Sequence, residues 1–244
     1  MTGVQILGVE GLPEVRPGDD LVRLIADHAT LQDGDVLVVA QKVVSKSEGR
    51  LIELDSVTAG DEAKRLAPQL IANPDPRIVQ VVLDESVRVL RSERVLITET
   101  KHGFVGANSG VDHSNVAPGT LALLPVDPDA SAERIRNGLR GRTSTTVGVI
   151  VSDTFGRPWR LGIVNVALGV AGIPAVVDLR GTTDDAGQAL RATVLAVADE
   201  IAAGAGLVMG KTRRTPVVIV RGLSLAGEGR GRDLIRPTNE DLFR

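Results

Sequence analysis

Hydrophobic and polar positions in this chain fall into short blocks whose periods predict interleaved strands and helices. VQILG (4–8) is an aliphatic run of strand length. The turn-rich GLPEVRPGDD follows, and its Asp19 or Asp20 is placed to cap a helix with apolar positions Leu21, Leu24 and Ile25. His28 falls on that helix as a surface or packing residue. The DGD turn at 33–35 leads into VLVVA, a β-branched strand that exits into Gln41, Lys42 and Lys46. Thr58 to Ala72 has an amphipathic helical pattern, NPDP (73–76) breaks it, and Pro76 opens a second helix carrying Ile78, Val81, Val82 and Val89.

Further along, VLITET (95–100) reads as a strand, and KHGFVGANSGVDHSNVAPG is too polar and glycine-rich for a core. LALLPV is a strand. DPDASAERIRNGLRGR is a helix with acid at its start and arginine at its end, and TTVGVIV is a strand that delivers Asp153 at its end. VNVALGVAGIPAVVDLRG predicts two strands bent at Gly172 and Pro174. Leu190, Val194, Val197 and Ile201 predict a long helix over about 186–204, and TPVVIVRG is a last strand. Two successive helices between 58 and 90, and several adjacent strands, break a simple βαβ winding. The expected class is therefore α+β, mixed sheets with packed helices, in one domain over 1–244.

Composition narrows the chemistry. Hydrophobic residues make up 43% of the chain but aromatic ones only 2%, so the core is aliphatic. A net charge of −3, with three Phe, one Trp and no Tyr, offers neither the basic footprint nor the stacking platforms of a nucleic-acid binder. No run approaches the roughly 18 apolar residues of a membrane span, and the N-terminus lacks a signal pattern, so a cytoplasmic protein is expected. With no cysteine there is no disulfide, no thiolate metal site and no Cys nucleophile. A metal would be held by oxygen.

The stretch VGVIVSDTFGRPWRLG (147–162) raises the question of why an acid follows a buried-looking strand. Asp153, with Thr154 beside it and Asp112 from GVDHSN, would form a hard oxygen site suited to magnesium or manganese if the fold brought them together. A cation between the two carboxylates would offset their repulsion. Each Asp also suits a turn or cap, and spacing alone does not join them. Lys42, Lys46, Arg157 and Arg160 are near the right loops to meet phosphate. AGLVMGKT (205–212) imitates a P-loop, but its order is helix, loop, strand rather than strand, loop, helix. A helix cap at Gly210 followed by the solvated Lys211, Arg213 and Arg214 is at least as good a reading as a Gly-Lys-Thr turn that meets phosphate through its backbone amides. The residues by themselves reach divalent-metal phosphate chemistry and no further.

Five ordered motifs carry a resemblance that spans the whole chain: GLPEVRPGDDL, VVAQKVVSKSEGR, ETKHGFVGANSGVDHSNV, VIVSDTFGRPWRLG and LVMGKTRRTPVVIVRG. Together they resemble the coenzyme F420-0:L-glutamate ligase family, in its stand-alone form without a C-terminal nitroreductase-like domain. The resemblance implies GTP-dependent addition of L-glutamate to coenzyme F420-0 and γ-linked extension of the tail through an acyl phosphate. It implies a gamma-glutamyl-ligase-like fold in an intertwined homodimer. It also implies two divalent cations (Mn2+ or Mg2+) and a monovalent cation such as K+. It places GTP contacts on Leu12, Pro13, Glu14, Val15, Gln41, Lys46 and Asn115, with a second nucleotide-contacting stretch at Met209 to Pro216. The implied metal ligands are Asp112, Asp153 and Thr154, the two aspartates being the catalytic pair. Gln41 stands where relatives often carry a small hydroxyl residue. Lys211 stands where some carry an acid or amide, and a protonated lysine cannot ligate a metal. Trp159 and Arg160 are candidates for the acceptor by proximity to Asp153. Two rival readings use the same residues: a divalent-metal phosphohydrolase and a non-catalytic nucleotide- or deazaflavin-binding module.

Overall fold

The computed structural model describes residues 3–71, 73–225 and 227–241. Ala72, the expected end of one helix, and the last residues of NEDLFR lie outside the described residues. The chain begins with β1 (Gln5–Gly8), α1 (Leu21–His28), β2 (Val36–Ala40), α2 (Gln41–Ser47) and β3 (Leu51–Glu53). It continues through α3 (Asp61–Leu66), α4 (Pro76–Asp84), β4 (Ser86–Arg91), β5 (Ile97–Thr100), β6 (Val105–Ala107) and β7 (Thr120–Ala122). The last part holds α5 (Pro128–Thr143), β8 (Gly148–Arg157), β9 (Arg160–Ala171), β10 (Val177–Asp178), β11 (Val194–Leu195), α6 (Val197–Met209) and β12 (Val217–Arg221). The class is mixed α+β, as the pattern predicts.

The main sheet has the order β1-β12-β2-β8-β9, and only β2 and β8 run parallel. VLVVA sits in the middle of it, which explains why this strand is apolar at every position rather than alternating. Leu37 and Val39 pack with Ile25, Leu139 and Val149 on the face covered by α1 and α5. Val36 and Val38 pack with Ile150, Ala198, Ala202 and Val218 on the face covered by α6. Helix α5 lies close on β9: a Cβ at Gly169 would come 2.0 Å from the carbonyl oxygen of Pro128, so only glycine fits there. Two smaller sheets, β3-β7 and β4-β5-β6, join α3 and α4 around separate cores that include Leu66, Val79, Leu96 and Leu121. No helix among the described residues is long and apolar enough to cross a membrane.

Several expectations need correction. Asp153 does not end its strand; β8 runs on to Arg157 and pairs with β9 down to Arg157 opposite Arg160. Trp159, at the tip of this hairpin with φ 57°, is exposed rather than in the core. The helix expected over 58–72 forms only as α3, because Pro68 supplies no N–H and the chain tightens into a 3-10 turn at 67–69. Val89 lies on β4, opposite Thr98, where the period of SVRVLR is two rather than 3.6. The long helix expected over 186–204 begins only at Val197 and continues to Met209. Before it, the Asp184 carboxylate accepts from the N–H groups of Ala186 and Gln188, a local turn that competes with helix. Gly210, at φ 55°, does end the helix, and the order helix, loop, strand disposes of the P-loop imitation.

Candidate functional site

The parallel pair fixes where the polar motifs meet. Ala40 is the register partner of Ser152, so β2 turns into α2 at the level where β8 presents Asp153. Crevices at the carboxyl ends of parallel strands are where open sheets bind ligands. On α2, Lys42 and Lys46 are four residues apart and share a face. The ammonium of Lys42 donates to Asp112 Oδ2 at 2.5 Å, and to the carbonyl and Oγ of Ser114, both at 2.6 Å. The ammonium of Lys46, a residue buried to 7% exposure, donates to Glu14 Oε1. One helix face thereby ties the GLPEV loop to the GVDHSN loop.

Asp112 is held from two sides. Its backbone exchanges hydrogen bonds with Ala122, the last residue of β7, at 3.0 and 2.8 Å. Its Oδ1 accepts from the Ser114 N–H at 2.7 Å and its Oδ2 from the Ser114 hydroxyl at 2.9 Å. Burial pushes this carboxyl up, but the Lys42 hydrogen bond, the Ser114 N–H and the Lys42 charge outweigh it and leave it below the usual range. Asp153 goes the other way: burial pushes it up to about 6, against the Thr154 N–H and the charge of Lys211, and repulsion from Asp112 adds to the rise. The two carboxylates are therefore near enough to repel each other. Thr154 Oγ1 accepts from Lys211 Nζ at 2.8 Å, which brings the segment after α6 to the same place.

The donor set fits a hard divalent cation. Two carboxylates and a hydroxyl are all oxygen, and lysine ammonium groups now supply positive charge at Asp112 and at Thr154. No group of three or more His, Asp or Glu comes together among the described residues. A cation here would complete its shell with water and phosphate oxygens, as magnesium commonly does.

The other expected contacts are distributed unevenly. Val15 is buried in the core and Leu12 packs against it, so these two can offer a ligand mainly backbone. Pro13 and Glu14 line a cleft of about 510 Å3 with Arg16, Asp19, Asp20, Arg23 and Asp27. Its four acids outnumber its two bases. Gln41 is buried and accepts from the Ser45 hydroxyl at 2.9 Å. Asn115 is exposed in a left-handed conformation beside Ser114, and no hydrogen bond joins it to the GLPEV loop among the described residues. From the MGKTRRTP segment Lys211 reaches Thr154, while Arg213 turns back to the Leu207 carbonyl. Arg157 bonds the Leu161 carbonyl across the hairpin tip and is not drawn into the site.

Three features escape a reading of motifs. The specific pairing of Lys42 with Asp112 needs the register of β2 and β8. Ser114 acts through its hydroxyl and backbone together, and only its position two residues after an Asp hinted at that. Ser152 is buried, and its hydroxyl has no partner among the described residues.

Residues 11–222 match the model of the F420-0:Gamma-glutamyl ligase family. The chain is 46% identical to the coenzyme F420:L-glutamate ligase of Methanocaldococcus jannaschii, an alignment covering 99% of this chain and 97% of that protein. It is 45% identical to the protein of the same name from Methanopyrus kandleri, over the full length of both. Against that of Archaeoglobus fulgidus it is 45% identical, over 99% of this chain and 96% of the relative. With similarity of this extent, and with its ordered motifs gathered at one end of the sheet, the chain belongs to the F420-0:gamma-glutamyl ligase family of enzymes.

Proposed function

We propose that this enzyme joins L-glutamate to coenzyme F420-0 with GTP as the energy source, and extends the product by γ-linked additions. The observation that carries this reading is the α2 face, where Lys42 and Lys46 join the GLPEV and GVDHSN loops next to Asp153. A carboxylate does not condense with an amine at neutral pH. Its oxygen must first attack the γ-phosphorus of GTP, releasing GDP and leaving an acyl phosphate, from which the glutamate amine then expels inorganic phosphate.

In this reading Lys46 and the inner side of the GLPEV loop hold the triphosphate. Asp112, Asp153 and Thr154 would hold divalent cations, which would supply positive charge against the charge that develops in phosphoryl transfer. Lys42, which donates to Asp112, and Lys211, which donates to Thr154, would then be freed to meet phosphate. Burial makes the ionised form of Asp153 costly, and a cation would favour it. Asn115 and the backbone of residues 12–15 position the nucleotide.

A homodimer is part of the proposal. The β8–β9 hairpin projects Leu161 and Ile163 at 97% and 58% exposure, more apolar surface than an isolated arm carries without cost, and a second copy would cover it. Phosphate release measured with each component omitted tests the catalytic reading. It is expected to require GTP, a divalent cation, glutamate and coenzyme F420-0 together. Release with water as the only acceptor would favour a phosphohydrolase, and binding without any release a non-catalytic module.

A further inference from the structure

A second cleft, of about 230 Å3, opens against the free edge of β9. Val166 is on its wall, and Val166 is the cross-strand partner of Asp153. Phe155, two residues beyond Asp153 on the same face of β8, forms another wall with Phe104. Ile235 closes the apolar floor. Two charged groups complete the lining, Asp199 from the first turn of α6 and Arg236 from the C-terminal segment.

These charges are not spent on each other. No ion pair joins Asp199 to Arg236, and Arg236 makes none with any other described residue. Asp199 Oδ1 accepts the Ala167 N–H at 2.8 Å, capping the edge of β9, while Oδ2 has no partner among the described residues. A half-buried carboxylate with one open oxygen, in a cleft that two phenylalanines also line, attracts an ammonium group. An unpaired guanidinium across the same small cleft attracts a carboxylate. The volume falls below the roughly 300–1,000 Å3 of sites for drug-sized ligands, and so suits an amino acid rather than a nucleotide.

Resting on the ligase reading above, we propose that this cleft is the seat of the incoming amino acid. Its α-ammonium meets Asp199 Oδ2 and the aromatic walls, a carboxylate meets Arg236, and its methylenes lie on Val166 and Ile235. Burial pushes the Asp199 carboxyl up in the empty cleft, and a bound ammonium would reverse that. The placement holds the amine one strand away from Asp153, next to the acyl phosphate it must attack.

The test is steady-state kinetics of Asp199→Asn, Arg236→Met and Arg236→Lys with L-glutamate varied. Asparagine keeps the oxygen that accepts from Ala167, so the edge of β9 stays capped, and thermal melts check the fold. Both Asp199→Asn and Arg236→Met are expected to raise KM for glutamate about tenfold or more, with KM for GTP and coenzyme F420-0 within about twofold of the parent and partial recovery in Arg236→Lys. Glutarate, which lacks the amine, is expected to compete with glutamate and to lose affinity in Arg236→Met but not in Asp199→Asn. An unchanged KM for glutamate in Arg236→Met, or a rise confined to coenzyme F420-0, would overturn the assignment. Should Asp199→Asn fail to fold, Arg236→Met decides alone. Failure of the unmodified enzyme to add glutamate at all would instead remove the ligase reading.

Discussion

Lys42 Nζ lies 2.5 Å from Asp112 Oδ2, across the gap between a helix that leaves the central sheet and a loop that returns to it. The lysine neutralises the carboxylate. Asp112 keeps 40% of its side chain exposed, so solvent screens the pair and its contribution to folding is modest. Lys42→Met is expected to cost about 1 kcal/mol in urea unfolding of the chelator-treated enzyme. Saturating Mn2+ should return most of it, because the cation takes over the charge. A loss of several kcal/mol that Mn2+ does not reduce would show that the lysine is a structural post.

Asp153 is expected to be a residue that activity needs and stability does not. Its folded value of about 6 lies above the ordinary aspartate value of 3.8, so the native state holds the proton more tightly than the unfolded chain. The sign follows: stability falls as pH rises from about 4 to 6 and stays lowered above that. In chelator-treated protein at pH 7.5, Asp153→Asn should be more stable than the parent by about 1–3 kcal/mol, and the gap should close near pH 4. Turnover should be lost. Thermal melts of both proteins across this range check the difference, and a variant less stable than the parent at pH 7.5 would contradict it.

Lys46 is enclosed, and the only hydrogen bond of its ammonium among the described residues goes to an exposed glutamate, so replacing it should spare the core more than the ligand. Lys46→Met is expected to weaken GTP binding by about ten- to a hundredfold, the scale of a lost charge-assisted hydrogen bond of about 1.5–3 kcal/mol. Calorimetric titration with GTP reads this directly. Lys46→Arg should restore it only in part, because a guanidinium fork does not reproduce the point-like ammonium. Unchanged affinity in both variants would move the triphosphate elsewhere.

Gly231 fastens the C-terminal segment. Its N–H donates to the buried Asp129 at 2.6 Å, and a Cβ there would come 2.0 Å from the Leu168 carbonyl oxygen. Gly231→Ala should therefore lift residues 231–236 from β9 while leaving the main sheet intact. Hydrogen exchange is expected to rise in that segment and not in VLVVA. Equal exchange in the two proteins would show that the segment adjusts without leaving its seat.

The sheet was legible because VLVVA, TTVGVIV and TPVVIVRG are apolar at successive positions, a pattern with few outcomes besides a strand covered on both faces. Asp153 drew attention because it follows a buried-looking run, and the fold sets it within β8 opposite Val166 rather than at the strand's end. The helix over 186–204 was misplaced because Leu190 and Val194 satisfy a 3.6 period while Asp184 commits the backbone to a turn, a competition that periodicity does not register. The pairing of Lys42 with Asp112 was illegible for another reason: it depends on β2 lying parallel to β8 in one register, a contact between distant segments. Asp199 and Arg236 belong to no motif, and only the edge of β9 brings them together.

The most direct test is the intact mass of coenzyme F420-0 after incubation with enzyme, GTP, L-glutamate and Mn2+ or Mg2+, with each omitted in turn. A ladder of products separated by one glutamyl residue, abolished without nucleotide or metal and absent with Asp153→Asn, is expected. An unchanged substrate mass while GTP is cleaved, or glutamate addition that persists without GTP, would contradict it.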